Sequence, residues 1–162
     1  MRSDVLNANS GSVGNFSTFN QEVQSVTDST YSVSPDQSGT IFDLNLAGGI
    51  TVTLPPASAG LVYEFHIGTT FTGTLTINAD SSSDTLQGMI LMGTGLTLND
   101  ADDNVENWGY ASPAAADHQY VADGDTKGRH LGTMLKYQAI SDSKWQVTGV
   151  AICSGAIATP FT

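Results

Sequence analysis

An acidic stretch, NDADDN at residues 99–104, contains the residue types that bind calcium. Its Asp-x-Asp-x-Asn pattern begins at Asp100 and resembles the start of an EF-hand loop. That loop also requires glycine at its sixth position and glutamate at its twelfth, where this sequence has Val105 and Ala111, so the pattern fails. A looser cation site would include two further carboxylates, Asp123 and Asp125. A solvated acidic loop is the favoured interpretation.

The other chemically active side chains form no recognisable catalytic pattern. His66, His118 and His130 have no metal-ligand spacing, and His66 alternates with Glu64 as a solvated surface pair would. Cys153 lies in the apolar run VAICSGA, which predicts a buried structural thiol. GxSxG, Walker A, GxGxxG and HExxH motifs are absent from the sequence. We therefore expect a non-enzymatic protein that needs no cofactor or metal.

Three aromatic residues, Trp108, Tyr110 and Tyr120, fall in the same acidic region. Aromatic rings of this kind stack on sugars in glycan-binding sites. They also pack into protein interfaces, where tyrosine and tryptophan are enriched. We favour the second interpretation, in which the three rings pack against the barrel or against a neighbouring subunit, and we treat them as candidate interface residues.

The charge distribution argues against two classes of partner. The chain has 162 residues and a net charge of −11, and residues 3–126 contain no lysine or arginine. Such a surface repels both nucleic-acid phosphate and anionic membranes. The first residues lack the apolar core of a signal peptide, and no segment has the length of a membrane helix, so we expect synthesis in a cytoplasm.

Short runs of alternating apolar and polar residues recur along the chain and predict strands. Pro55 and Pro56 should end one of these strands at a corner. About eight to ten such runs and no amphipathic helix predict an all-β fold, a single antiparallel β-sandwich or barrel of jelly-roll-like type. No fixed-length repeat is visible, which disfavours a solenoid. The predicted core consists of Phe42, Leu44, Val52, Leu54, Tyr63, Phe65, Ile67, Leu75, Ile77 and Trp145.

The chain divides into an extended N-terminal arm, residues 1–22, and a β domain, residues 23–162, with a long acidic loop at about 99–127. Within that loop, Pro113–Ala116 could form one helical turn. The arm is rich in Ser, Asn and Gly, and its apolar residues are few: Val13, Phe16 and Phe19. These residues cannot offset the entropy of ordering the arm on its own domain. We therefore predict that the arm binds another chain.

Residues 31–90, YSVSPDQSGTIFDLNLAGGITVTLPPASAGLVYEFHIGTTFTGTLTINADSSSDTLQGMI, resemble a β-module of tailed-phage virion structural proteins. The shared rhythm is Ser-Gly-Thr, an apolar strand, Thr-x-x-Leu-Pro, Gly-x-x-Tyr-x-Phe, Gly-Thr-Leu-Thr-Ile and Asp-x-Leu-x-Gly. The later SDSKWQVTGVA, residues 141–151, is similar to the Trp-x-Val-x-Gly that often ends the module. The family contains capsid decoration (cement) proteins and related head-fibre and tail-fibre pieces.

The resemblance implies a function without enzyme chemistry. A decoration protein of this family would lie on the capsid surface of the virion, bind the major capsid protein and copies of itself as a homotrimer, and stabilise the shell. The alternative is a tail-fibre or baseplate module that contacts a host surface glycan, and a small glycan-active enzyme is a weaker third hypothesis. The arm and the acidic loop lie outside the resemblance.

Overall fold

The computed structural model describes residues 21–80, 83–94, 108–154 and 156–162. These residues form strands and two 3₁₀ turns, Pro35–Gln37 and Asp125–Lys127, with no α-helix among them. The predicted all-β fold is confirmed. The strands are β1 (Val23–Val26), β2 (Thr30–Ser32), β3 (Ile41–Leu44), β4 (Ile50–Thr53), β5 (Val62–Ile67), β6 (Leu75–Asn78), β7 (Thr85–Thr94), β8 (Trp108–Ala111), β9 (Gln119–Ala122), β10 (Met134–Ser141) and β11 (Lys144–Cys153).

Two sheets pack against each other, and the first six strands alternate between them. The larger sheet has the order β1-β3-β5-β10-β11-β7-β8, and the smaller sheet has the order β2-β4-β6-β9. The pairs β1-β3, β3-β5, β2-β4 and β4-β6 are all parallel. From β1 to β6 the chain therefore winds as a flattened coil, with three strands in each sheet.

This winding corrects one expectation from the sequence. The predicted antiparallel, jelly-roll-like pairing is wrong in detail, because five of the nine strand pairs among the described residues are parallel, the long β7-β11 pair among them. The coil has no fixed period, since Val23 is in register with Ile41, 18 residues later, whereas Ile41 is in register with Glu64, 23 residues later.

The core consists of the residues that the alternation of apolar and polar side chains predicts. Every predicted core side chain is at most 3% exposed, and all belong to a single cluster between the sheets. Trp145 packs on Tyr63 with ring centroids 5.8 Å apart, and Phe42 stacks on Phe65 at 5.3 Å. Because alternate residues of a strand point to opposite faces, a period-two sequence with one apolar set produces this arrangement.

The chain leaves the smaller sheet at the two prolines, as predicted. β4 ends at Thr53, Leu54 still donates its N–H to Asn78 O at 2.9 Å, and neither proline lies in a strand. The corner is held by Asp84, whose buried carboxylate accepts the N–H of Ala57 at 2.8 Å. This segment therefore carries the chain from one sheet to the other.

The predicted acidic loop is wrong over its described part, residues 108–127. Strand β8 adds to β7 at the edge of the larger sheet, and strand β9 adds to β6 at the edge of the smaller one. Residues 113–116 form no helix, and residues 114–117 form a turn that Asp117 closes by donating its N–H to Ala114 O at 3.0 Å. Residues 99–107 of the predicted loop lie outside the described residues.

Gly149 fixes the close approach of β10 to β11. Its φ is +152°, and a Cβ on this residue would overlap the carbonyl oxygen of Met134 and lie 3.0 Å from Leu135 Cα. We expect Gly149→Ala to lower the free energy of unfolding by roughly 2–4 kcal/mol, as measured by chemical denaturation. The matched control is Gly48→Ala, since no heavy atom lies within 4 Å of the added Cβ there. Similar losses in both variants would contradict this reading.

Candidate functional site: an apolar face beside an open sheet edge

The histidines and their acidic neighbours lie apart from one another. His66 Nε2 is 2.8 Å from Glu64 Oε1, and both side chains are partly exposed, which confirms the predicted surface pair. His118 Nδ1 lies 3.4 Å from Ala116 O, while the Asp117 carboxylate accepts the N–H of Ala114 at 2.8 Å. His118 and Asp117 are therefore held by different backbone groups and form no acid–base pair.

The two carboxylates considered for a cation site form ion pairs instead. Asp123 lies 2.9 Å from Lys127 Nζ, and Asp125 lies 2.6 Å from Arg129, which also donates to Thr72 O at 3.0 Å. Hydrogen bonds from these two basic side chains lower the pKa of both carboxyls. Within the described ranges, no three His, Cys, Asp or Glu side chains are grouped as metal ligands would be. The Asp-x-Asp-x-Asn pattern lies outside those ranges.

Cys153 is a buried structural thiol, as predicted. It is 2% exposed, its thiol faces Ala151 O at 3.9 Å, and burial raises its pKa. A shallow groove of about 500 Å³ lies beside it. The groove is lined by Thr70, Thr94, His130, Leu131, Ile152, Cys153 and Ser154. A buried thiol with a raised pKa is a poor nucleophile at neutral pH.

Tyr120 corrects the predicted aromatic contact surface. It is fully buried on β9, and its ring packs edge-on against Phe161 with centroids 5.8 Å apart. Its hydroxyl lies 3.0 Å from the carbonyl oxygens of both Lys127 and Gly128. Tyr120 therefore stabilises the core and the following 3₁₀ turn, and it cannot contact a partner.

Trp108 and Tyr110 are exposed on one face of β8. Trp108 is 46% exposed and Tyr110 is 71% exposed. The Trp108 ring lies against the backbone of Gly93 on β7, where a Cβ would lie 2.5 Å from the ring. Because the glycine has no side chain, Trp108 rests on the sheet and presents its outer ring surface. Its role in an interface stays a prediction.

These two rings belong to a larger surface that we call the apolar face. The register places Tyr110 opposite Leu91, Leu91 opposite Val150, and Val150 opposite Met134. This row crosses β8, β7, β11 and β10 on the outer side of the sheet. The apolar face consists of Met89, Leu91, Trp108, Tyr110, Met134, Val150 and Ile152. Four of these seven neighbouring side chains, Met89, Trp108, Tyr110 and Met134, are at least 39% exposed, and contiguous apolar patches often mark interaction sites.

The apolar face is also free of negative charge. Strands β7, β8, β10 and β11 contain no aspartate or glutamate, in a chain that has sixteen acidic residues. Two of the five basic residues, Lys136 and Lys144, lie on β10 and β11. A partner that contacts only these four strands therefore meets no carboxylate on them, and the neighbouring strand β5 places Glu64 opposite Lys136.

The sheet edges differ in how they are covered. Along β9, the C-terminal residues form backbone hydrogen bonds, among them Val121 N–H to Pro160 O at 2.7 Å and Thr162 N–H to Gln119 O at 3.1 Å. Along the outer side of β8, no strand pairs among the residues that the structure describes. Within the described part of the chain, β8 therefore has an unpaired outer edge, and it borders the apolar face.

The sequence prediction located part of this site. It singled out Trp108 and Tyr110, but it did not separate the outward Met89 and Leu91 from their inward neighbours. The strand register provides that distinction. The other predicted contact residues, Val13, Phe16 and Phe19, lie outside the described residues.

Comparison with known proteins adds no family assignment. No family model matches the chain, and a search of curated proteins finds no match. Among the described residues, no helix is long and apolar enough to cross a membrane.

Proposed function

We propose that this chain is a non-enzymatic bacteriophage virion structural protein that decorates and stabilises the capsid shell by binding the major capsid protein. The observation that carries the proposal is the apolar face. An exposed apolar patch on a strongly acidic domain is typical of a protein-binding surface. The sequence resemblance of residues 31–90 and 141–151 to virion β-modules supplies the kind of partner.

In this proposal the apolar face rests on the shell. Burying apolar surface contributes about 25 cal/mol for each Å² removed from water, before the costs of association. Lost rotational and translational freedom and side-chain ordering offset most of that gain, so a single contact is modest. Many copies on one shell, tied to one another, make the total attachment strong. The acidic remainder of the surface faces solvent and keeps decorated particles apart.

The test is a charge introduced into the apolar face. We expect the double variant Met89→Asp, Met134→Asp to bind isolated shells at least 100-fold more weakly, because two carboxylates would be desolvated in an apolar contact. Both residues are exposed in the free domain, so folding should be unaffected. Co-sedimentation with shells that lack this protein measures the binding.

The matched control is Thr30→Asp, Ser32→Asp, which adds the same charge to exposed positions on the smaller sheet. This control should bind shells as the unmodified protein does. Full binding by the Met89, Met134 variant would remove the apolar face from the mechanism. Equal loss in both variants would indicate a general effect of charge.

A second candidate function is a tail-fibre or baseplate module that contacts a host glycan. It is favoured by the exposure of Trp108 and Tyr110, two residues apart on one side of β8. Rings at this spacing offer successive stacking surfaces to a sugar chain. Quantitative mass spectrometry of particles separates the two functions, because a shell protein is present in hundreds of copies and a tail protein in few.

A further inference from the structure

We propose that residues 1–20 of one copy bind along the β8 edge of a neighbouring copy and add a strand to its larger sheet. The proposal concerns self-association and does not depend on the identity of the shell. It describes how copies of the chain bind one another, whatever larger structure they attach to.

The first argument is the state of the edge. Proteins protect edge strands with lysine, proline, bulges or a covering segment, because an open edge pairs with any suitable strand. β8 has the sequence Trp-Gly-Tyr-Ala, which contains none of those protective residues. At the β9 edge, by contrast, residues 160–162 are hydrogen bonded to the strand. The unprotected β8 edge is therefore suited to receive an added strand.

The second argument is charge. Arg2 and Asp4 cancel within residues 1–20, so the whole net charge of −11 belongs to residues 21–162. Two such bodies repel each other, but the arm carries no net charge and has no charged residue between Val5 and Asn20. The residues of β7 and β8 themselves include no aspartate or glutamate, although the sequence between the two strands contains four. The arm is thus the segment of one copy that can approach another most easily.

The third argument is length and position. The arm joins the body at β1, which forms the opposite edge of the same sheet, six strand spacings or about 29 Å from β8. Twenty extended residues span up to about 66 Å. To reach β8 of its own copy, the arm would spend about nine residues crossing the sheet without ladder hydrogen bonds. If the β8 edge of a neighbouring copy lies beside β1, the arm reaches that edge without crossing a sheet.

Side-chain positions in the arm agree with this pairing. Val13 and Phe19 are six positions apart, so in a strand they point to the same side, and a suitable register places that side with Trp108 and Tyr110 of β8. Phe16 then points to the opposite side, where β8 has the small residues Gly109 and Ala111. Contact of one edge with the opposite edge of the next copy is head-to-tail, and such contacts close into rings when the rotation permits.

Cross-linking of full-length chains without shells tests the proposal. One chain carries Ser17→Cys and a size tag, the other carries Ser112→Cys beside β8, and the two are co-expressed and treated with a short bismaleimide. We expect a cross-linked dimer of the two chains. It should be at least ten times more abundant than in a control where Thr30→Cys, an exposed position on the smaller sheet, replaces Ser112→Cys. Cys153 should not react because it is 2% exposed, and the unmodified chain checks this.

Three outcomes would overturn the proposal. The first is a mixed dimer no more abundant than with the Thr30→Cys control. The second is a cross-link that forms only within single chains carrying both Ser17→Cys and Ser112→Cys, which would place the arm on its own domain. The third is a mixed dimer that persists when Phe16→Asp and Phe19→Asp are added. Shell binding is measured separately, so either proposal can fail while the other stands.

Discussion

Replacing Trp145 with alanine is expected to lower the free energy of unfolding by about 3–5 kcal/mol. The indole is fully buried on β11 and packs against Tyr63 on β5, two strands away in the same sheet. Alanine would leave a cavity that strands paired on both sides cannot close by moving, since β11 lies between β10 and β7. Urea denaturation followed by circular dichroism measures the loss. The melting temperature should fall by on the order of 10 °C.

The second tryptophan provides the matched control. Trp108 is 46% exposed and lies on an edge strand, so Trp108→Ala should cost less than about 1 kcal/mol. The two variants remove the same atoms from different environments. Equal destabilisation would mean that Trp108 belongs to the folding core, and the apolar face would then lose its most prominent ring.

The buried core could be predicted because alternation depends only on neighbouring residues. In the run ITVTL, for example, Val52 and Leu54 must share a side of the strand whatever that strand pairs with. Both are buried, as predicted. The burial of Trp145 follows from the same rule, because it alternates with the outward Gln146.

Strand pairing could not be predicted in the same way. A period-two pattern is identical for parallel and antiparallel partners, and the partner is distant in sequence. Gly48 and Gly49, for example, would equally suit a tight turn between two strands paired with each other. In the structure β3 and β4 lie in different sheets, and each pairs in parallel with a strand one coil turn away.

Composition misled the prediction for residues 108–127. The acidic residues made the region resemble a solvated loop, whereas β9 contributes Tyr120 and Ala122 to the core. The phenol of Tyr120 is accommodated because two backbone carbonyls accept its hydroxyl. That compensation depends on the chain turning at Lys127 and Gly128, which the local sequence around Tyr120 does not encode.

The larger sheet offers two surfaces with different requirements. The apolar face buries side chains and tolerates any flat apolar partner, whereas the β8 edge requires a strand with free backbone groups. Both adjoin the same acid-free strands, so the acidic residues direct contacts to one side of the protein. A decoration protein needs both kinds of contact, one to hold the shell and one to hold its neighbours.

Deleting residues 1–20 is expected to dissociate the assembled protein into monomers while leaving the fold intact. Strand β1 begins at Val23, and Ile41 donates its N–H to Glu22 O at 2.9 Å, so the coil keeps its first hydrogen bonds. The melting temperature of the domain should change by less than about 4 °C, corresponding to under about 1 kcal/mol. Light scattering measures the assembly, and thermal denaturation measures the fold.

The full-length variant Phe16→Ser, Phe19→Ser is the matched control, because it keeps the arm but removes two of its apolar contacts. It should dissociate as the truncated chain does, since the arm would lose most of the burial that offsets its ordering entropy. If the chain binds a shell as proposed, occupancy should also fall in both variants, because separate copies lose the advantage of simultaneous attachment. If the truncated chain still formed oligomers, the arm would not be the segment that joins the copies. If it failed to fold, the arm would belong to the domain rather than to its neighbour.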